Sequence, residues 1–440
     1  MSGYSDSTQD TSEKHQPIWR NRNFLRFFMG QFVTNAGDSL YSVATLWLVF
    51  ELSESTFLTG LASSMLLLPY LLQIIAGPII DRFPIKPILV GTQLVQGVIL
   101  LVLPLASYTG NLTVGLLFLT IPTLSLFALL MFPIPSTLLP RIVADEQLSK
   151  GNSALSTITL GLDMIFDAFG GLFIAVFGAT ALLVLDSFTF VVAGVLFLGM
   201  TIPRVRGGGD RDKAQSDETT LQTVLQAYVA DLRIGIDILR GSVFIELMAT
   251  AAIFNFAVGI TLAILPSFGE SLGGPAFYGF MLGALGVGRL VGSVVAAGLD
   301  DVPYGWLVTV SYLCSACLWV GSIYVTSPFL TVVLFGLAWV SPGINGVLTS
   351  TLNQTVFPTD LLGRIASIKG TASTATLPLG SLIGGGVAEL LGTTTTMGLA
   401  GLGFGVVGLY FALRPRLRQI PAISEADSET FDLDFVSDES

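Results

Sequence analysis

KPILVGTQLVQGVILLVLPLAS, residues 86–107, and LTVGLLFLTIPTLSLFALLMFPIPSTLL, residues 112–139, are separated by only four residues. Lys86, at the very edge, is the one charge in either run. A stretch of about 20 apolar residues matches a hydrocarbon core roughly 30 Å thick, so two such stretches with a four-residue joint read as a pair of antiparallel membrane helices. The pattern recurs along the whole chain, near 27–50, 57–80, 86–107, 112–139, 153–177, 180–201, 243–268, 275–299, 304–325, 328–352, 363–391 and 394–413. The expected fold is an all-α membrane protein with twelve transmembrane helices.

The distribution of basic residues orients these spans. Lys14, Arg20, Arg22 and Arg26 precede the first; Arg82 and Lys86 follow the second; Arg141 and Lys150 follow the fourth. Arg204, Arg206, Arg211, Lys213, Arg233 and Arg240 lie in the link after the sixth, Arg289 in the inner half of the eighth, Arg364 and Lys369 after the tenth, and Arg414, Arg416 and Arg418 after the twelfth. The intervening loops at 52–56, 108–111, 178–179, 269–274, 326–327 and 392–393 carry none. Since Lys and Arg of short loops stay on the cytoplasmic side, both termini are expected inside. The loop between spans 8 and 9 departs from the pattern, offering Asp300 and Asp301 without a flanking base.

Composition agrees: 52% of residues are hydrophobic and 12% charged, and 48 are Gly, which lets membrane helices approach closely. The polar first 16 residues and a full-length first span expect no cleaved signal. Cys314 and Cys317 have CxxC spacing but lie inside a predicted span without a His or third Cys nearby, so a buried apolar pair is expected rather than redox or metal chemistry. Much of the net charge of −11 sits in an acidic tail expected to be disordered. Its acidity either suits a high-salt cytoplasm or simply solvates the tail.

The polar link containing Gly207-Gly208-Gly209 divides six spans from six. The expected organisation is a cytoplasmic N-terminal segment (1–23), a six-helix bundle (24–202), a cytoplasmic linker (203–241), a second six-helix bundle (242–414) and the acidic tail (415–440). Within the linker, Leu221, Val224, Leu225, Tyr228, Leu232, Ile236 and Leu239 share one broad helical face, as a surface helix would. The two halves resemble each other at a nearly constant offset: Gly170-Gly171 answers Gly384-Gly385, Asp145 answers Asp360, and Asp81 answers Asp300. Parallel six-helix repeats around a central cavity are a secondary-transporter architecture.

The segment Gly77-Pro78-Ile79-Ile80-Asp81-Arg82-Phe83-Pro84-Ile85-Lys86 is similar to the loop between spans 2 and 3 of the major facilitator superfamily, G-x-x-x-D-R-x-G-R-[KR], with Pro84 in place of the second Gly and Ile85 in place of the first basic residue. Other segments resemble the drug and siderophore exporter branch, which includes macrolide-efflux and enterobactin-export proteins: Asn23-Phe24, Gln31 and Gly37-Asp38-Ser39 in span 1, Leu139-Pro140-Arg141-Ile142-Val143 after span 4, Leu185-Asp186-Ser187-Phe188 in span 6, and Pro378-Leu379-Gly380 in span 11. Antiporters of that family often carry Gly-Pro-x-x-Gly-Gly in span 5. Here Gly170-Gly171 is kept and Phe166-Asp167 replaces Gly-Pro. The resemblance implies two pseudo-symmetric six-helix bundles (the major facilitator fold) and Gly77, Asp81, Arg82 and Lys86 as its conformational loop motif.

An ionisable side chain at bilayer depth costs about 2.5–3.5 kcal/mol even on the lenient insertion scale, so each needs a partner, water or a use. Asp38 lies in span 1, Asp163 and Asp167 one turn apart in span 5, Asp186 in the outer half of span 6, and Arg289 in span 8. In the superfamily's architecture spans 5 and 8 pack together, and Asp163 and Arg289 sit at similar depth, so they are expected to pair as an interface latch. Asp167 or Asp38 then has the surroundings to bind and release a proton, the alternative for the whole set being a structural ion-pair network. Asp186 is either structural or a substrate contact. Phe32, Tyr41, Trp47, Phe254 and Trp339 either line an apolar cavity or pack as anchors, with Asn255, Asn345 and Asn353 as uncharged hydrogen-bonding groups.

Two glycine patterns imitate nucleotide sites. Gly403-Phe404-Gly405-Val406-Val407-Gly408 fits G-x-G-x-x-G and Gly286–Gly292 nearly does, but both lie inside apolar helices with no preceding strand, where close helix packing is expected. There is no G-x-x-x-x-G-K-[ST] motor motif, and His15 alone supports no His-based catalytic or metal site. The sequence therefore points away from an enzyme, a cofactor, a metal or nucleic acid. It points to a monomeric cell-membrane transporter among lipids, exchanging protons for a hydrophobic or amphipathic small molecule by alternating access. An importer or facilitator of the same fold, and a non-transporting sensor or assembly partner, are the alternatives.

Overall fold

The computed structural model describes residues 17–80, 84–158, 163–202, 241–357, 374–426 and 431. Among these every regular element is helical. In chain order they are α1 (Arg22–Ser53), α2 (Thr56–Ile80), α3 (Ile85–Tyr108), α4 (Val114–Met131), α5 (Ile134–Ile142), α6 (Leu148–Thr157), α7 (Asp163–Phe177), α8 (Ala179–Leu198), α9 (Val243–Leu272), α10 (Pro275–Ala296), α11 (Tyr304–Ile323), α12 (Pro328–Ala338), α13 (Val340–Val356), α14 (Thr376–Leu391), α15 (Thr393–Leu413) and the short α16 (Pro415–Arg418). Eight helices among the described residues are long and apolar enough to cross a membrane, counting Val114–Ile142 and Pro328–Val356 as one each, and Thr56–Pro69, Ile165–Phe177 and Thr376–Leu391 are shorter apolar helices. Large side chains such as Val98, Leu119, Val176, Phe188 and Val294 are exposed along them, as a lipid-facing surface requires and a water-facing one does not tolerate in such numbers.

The helix ends are written in local chemistry. Asn21 accepts the Phe24 amide at 3.0 Å to start α1 and donates to the Ile142 carbonyl at 2.7 Å. Thr113 and Ser242 cap α4 and α9 in the same way. The C-terminal end of α8 collects basic and amide side chains: Lys86 Nζ donates to the Met200 carbonyl at 2.7 Å, Arg26 donates to the Gly199 carbonyl, and Asn23 accepts the Thr201 amide at 2.8 Å. The negative end of a helix, with its unpaired carbonyls, favours cations in this way. Gly178 and Gly392 stand at equivalent turns of the two halves, between α7 and α8 and between α14 and α15, with φ 81° and 85° and ψ 158° and 153°. No atom crowds either one, so it is the backbone conformation, open to glycine almost alone, that demands the residue.

By its internal contacts the chain forms two compact units, one of Met1–Leu48 and Leu72–Gln226, the other of Val49–Leu71 and Ala227–Ser440. In the first, Phe24, Phe27, Ile85, Leu89, Leu138, Leu139, Ala193 and Phe197 form a continuous buried core. In the second, glycines bring helix backbones into contact: a side chain at Gly259 would strike the Leu377 carbonyl, one at Gly380 the Phe256 carbonyl, one at Gly292 the Val340 carbonyl and one at Gly343 the Arg289 carbonyl. Gly403 and Gly405 meet Ala257 and Ala316, so both nucleotide-like patterns serve helix packing. Residues 49–71 belong to this second unit through α14. A Cβ at Gly60 would lie 2.9 Å from the Gly385 Cα, Ser63 Oγ bonds Ser381 Oγ at 3.1 Å, and Glu389 Oε2 accepts from Ser55 Oγ, Thr56 Oγ1 and the Phe57 amide at 3.2, 3.0 and 3.3 Å.

Two expectations change here. Cys314 and Cys317 are free and exposed rather than buried; they share the outward face of α11 with Trp306 and Val310, where the surrounding medium, not the protein, supplies the apolar contact. Part of the tail read as disordered is packed. Leu417, Ile420, Ile423 and Phe431 are buried, the Pro421 and Ile420 carbonyls accept the Tyr304 and Gly305 amides at 3.0 and 3.2 Å, and the Asp300 carbonyl accepts the Ile423 amide at 3.1 Å. Phe431 sits 5.0 Å from Phe244, ring to ring, and Phe244 4.6 Å from Phe357. The strap thus satisfies the orphan donors at the start of α11 and occupies the loop of Asp300 and Asp301, which had no base of its own in the sequence. Arg414, just past α15, lies 3.6 Å from Glu246, and its guanidinium is held still more firmly charged by Tyr410 and then by Glu246. The amphipathic stretch 219–240 lies outside the described residues.

Candidate functional site

In the first unit, α1 presents Phe32, Asp38 and Tyr41 and meets α7 and α8, which carry Asp167 and Asp186. Asp186 is fully buried (0% exposed). Its neighbour one turn on, Thr189, shares its hydroxyl between the Asp186 carbonyl at 2.7 Å and Oδ1 at 2.8 Å, while Oδ2 has no hydrogen-bond partner. A side chain at Gly37 would collide with Asp186 Oδ1 and Thr189 Oγ1, so the bare backbone of α1 forms one wall around the carboxylate. Asp38, the next residue, is exposed and feels the charge of Asp186. Tyr41 is buried, its hydroxyl beside Thr45 on the following turn.

Polar groups continue along α1. Ser39 donates to Asp167, which is half-buried on α7, and Phe32 stacks edge-on against Phe166 with centroids 5.9 Å apart. Thr34 bonds Gln93 Oε1 at 3.2 Å, and Gln96 donates to the Leu124 carbonyl at 3.4 Å. Gln93 Nε2 and Gln96 Oε1 remain buried without partners. A seam of buried polar atoms at bilayer depth is expensive unless water or a ligand completes it.

The other expected residues lie elsewhere. Asp163 opens α7, and its side chain is outside the described part. In the second unit Arg289 is exposed on α10, electrostatically close to the buried Tyr312. Asn255 is half-buried on α9. Trp339 is 1% exposed within an aromatic cluster with Phe254, Trp319, Phe335 and Phe404. Asn345 is buried and donates to the Ser341 carbonyl at 2.9 Å, its Oδ1 left without a partner. Of the loop motif, Gly77 falls in α2, Asp81 and Arg82 lie outside the described residues, and Lys86 caps α8. The sequence reading passed over Thr189, Gln93 and Gln96 and gave Ser39 only as part of a family segment; the Asp186-x-x-Thr189 spacing was the available sign, since residues three apart meet on one helix face.

Helical spans with a lipid-facing exterior, a repeat joined at equivalent glycine turns, and a buried polar seam define a multi-pass membrane carrier of the major facilitator class. The chain belongs to the transmembrane secretion effector family, whose profile matches residues 14–439. It is 27% identical over 287 residues to the uncharacterized MFS-type transporter YkuC of Bacillus subtilis, covering 63% of this chain and 65% of that one. It is 22% identical to macrolide efflux protein A of Streptococcus pyogenes (86% and 92% covered) and 23% identical to the multidrug efflux pump Tap of Mycolicibacterium fortuitum (94% and 100%). Among solved structures, a bacterial homologue of the human lysosomal transporter Spinster, in an inward-facing and occupied conformation, matches with a TM-score of 0.65 at 12% identity, covering 90% of this chain and 97% of that one. That likeness shows the fold. The protein is a transporter of a small molecule and not an enzyme.

Proposed function

We propose that this protein exports a hydrophobic or amphipathic small molecule across the cell membrane in exchange for protons, as a monomer with twelve spans, both termini cytoplasmic and two six-helix bundles rocking around a midplane site. The observation that carries the reading is the carboxylate-lined seam of α1, α7 and α8, where Asp186 is buried against Gly37 and feels the charge of Asp38, and Asp167 accepts the hydroxyl of Ser39. A purely structural scaffold has little reason to keep three acids at a depth where each is costly. Relatives named for macrolide and multidrug efflux support the direction and the substrate class. The pairing of Asp163 with Arg289 belongs to the same proposal.

The test uses purified protein in vesicles with an imposed pH gradient and a macrolide antibiotic as probe. Antiport gives macrolide-triggered proton movement and uphill macrolide flux that collapses with the gradient. Flux without proton movement would make the protein a facilitator, and binding without flux a sensor; either result overturns the reading.

A further inference from the structure

We propose that Asp186, rather than Asp167, is the group that takes up and returns the coupling proton, with Asp38 as its relay to the open side of α1. The proposal rests on the proton-coupled reading above and names its site. An ionised carboxylate offers about four acceptor positions. Asp186 receives one shared hydroxyl hydrogen on Oδ1 and nothing on Oδ2, in a place with no solvent exposure. Asp167 has a donor in Ser39 and is only half-buried, so it is provided for as an anion.

Among the described residues, the groups around Asp186 bring it no cation. From α1 the titratable neighbours are Asp38 and Tyr41, and both act on it electrostatically or are acted on by it. From α7 comes Asp167, engaged by Ser39. On α3 the buried polar groups, Thr92, Gln93 and Gln96, are neutral. The basic residues bonded to this part of the unit, Arg26 and Lys86, sit at Gly199 and Met200, roughly 20 Å away along α8 at 1.5 Å per residue. A hydrogen on Oδ2 removes the unpaired charge without a countercharge. Gly37 contributes a second, independent fact: a side chain there would strike Asp186 Oδ1 and Thr189 Oγ1, so the bare backbone of α1 leaves room for the carboxyl group and its Thr189 bond.

The step balances simply. A proton from water on the open side joins the Asp38 carboxylate; it passes to Asp186, where an O–H bond forms on Oδ2 as the bond to Asp38 breaks, and Asp38 returns to its anion. On the opposite stroke the Asp186 O–H bond breaks and the proton leaves by the same relay once its mouth faces the other compartment. No oxidant, reductant or second substrate is needed.

The experiment is an infrared titration of the full-length protein in lipid nanodiscs, following the carbonyl band of buried protonated carboxyl groups as pH is varied. The wild type is expected to show one such band that comes and goes with pH. Asp186→Asn, which keeps the shape and the Thr189 bond, is expected to lose it, Asp38→Asn to keep it with at least tenfold slower exchange after a pH jump, and Asp167→Asn to leave it unchanged. Macrolide binding to the solubilised protein is expected to lose its pH dependence in Asp186→Asn alone. A band retained in Asp186→Asn, a band that never titrates, or a band removed at constant pH by sodium ions would each overturn the proposal. If vesicles of the wild type move no macrolide, the exporter reading fails while the infrared titration still decides the proton site.

Discussion

At Asp186 and Gly37 the behaviour of a whole helix contact depends on one missing side chain. A Cβ on Gly37 would meet Thr189 Oγ1 and Asp186 Oδ1, and overpacking of this kind costs about 1–3 kcal/mol. Gly37→Val is therefore expected to lower the thermal unfolding temperature in detergent. Gly91→Ala on α3, where nothing lies within 4 Å, should raise it or leave it unchanged, since a helical glycine gives up roughly 0.5–1 kcal/mol relative to alanine. Equal losses in the two variants would show that the Gly37 contact is not made. Thr189→Val tests the same carboxylate from its other side. The valine matches threonine in shape but leaves Oδ1 without its only donor, a loss of about 1–3 kcal/mol for a buried acceptor, and the infrared band of Asp186 should shift in frequency. An unchanged band would mean that Thr189 does not hold the carboxyl group.

Among elements, the pairing of α2 with α14 is the most specific and was the least visible in the sequence. Hydropathy made α2 a span and placed all of it with the first six; what it could not convey is that Gly60, Ser63, Gly385 and Ser381 form one seam, because each looks like an ordinary small residue until the two helices are side by side. An oxygen of Glu389 gathers three donors from Ser55, Thr56 and Phe57 at the start of α2, where the helix dipole favours an anion. The glycine patterns of α10 and α15 were legible as packing, since no strand precedes them. Trp339 and Asn345 were legible only as types, because facing is not encoded in a helix that is apolar all round. With Cys314 and Cys317 replaced by Ser, the double variant Ser63→Cys, Ser381→Cys should form a disulfide, the two oxygens being 3.1 Å apart, detected as a cross-linked peptide after digestion. Adding Gly385→Leu should abolish the cross-link, because the new side chain would displace the Gly60 backbone; a persisting cross-link would refute the seam. Glu389→Gln should weaken it only partly, as a neutral oxygen still accepts at roughly half the strength of a charged one.

For the molecule as a whole, the division into units does not follow the division of the chain. The succession of apolar stretches, the repeated glycines and the basic loops made the overall class readable, and Gly178 and Gly392 hold turns of matching backbone conformation. The exchange of residues 49–71 into the second unit was not readable, because contacts between distant segments leave no local pattern in composition. It has a physical consequence. A fragment of residues 241–440 contains α9 to α16 and the C-terminal strap, but it lacks the segment that covers Gly385 and bonds Ser381 and Glu389. Ser381 Oγ would keep its 3.0 Å bond to the Gly259 carbonyl, so the fragment retains the α9 face of α14 and loses only the α2 face. Expressed alone it should insert yet unfold at a lower temperature than the same unit in the intact protein. Co-expression with residues 1–202 should restore stability, and residues 1–202 carrying Gly60→Leu should fail to do so. Equal stability of the lone fragment and the intact unit, or full rescue by the Gly60→Leu half, would show that residues 49–71 are dispensable to the unit they are packed in.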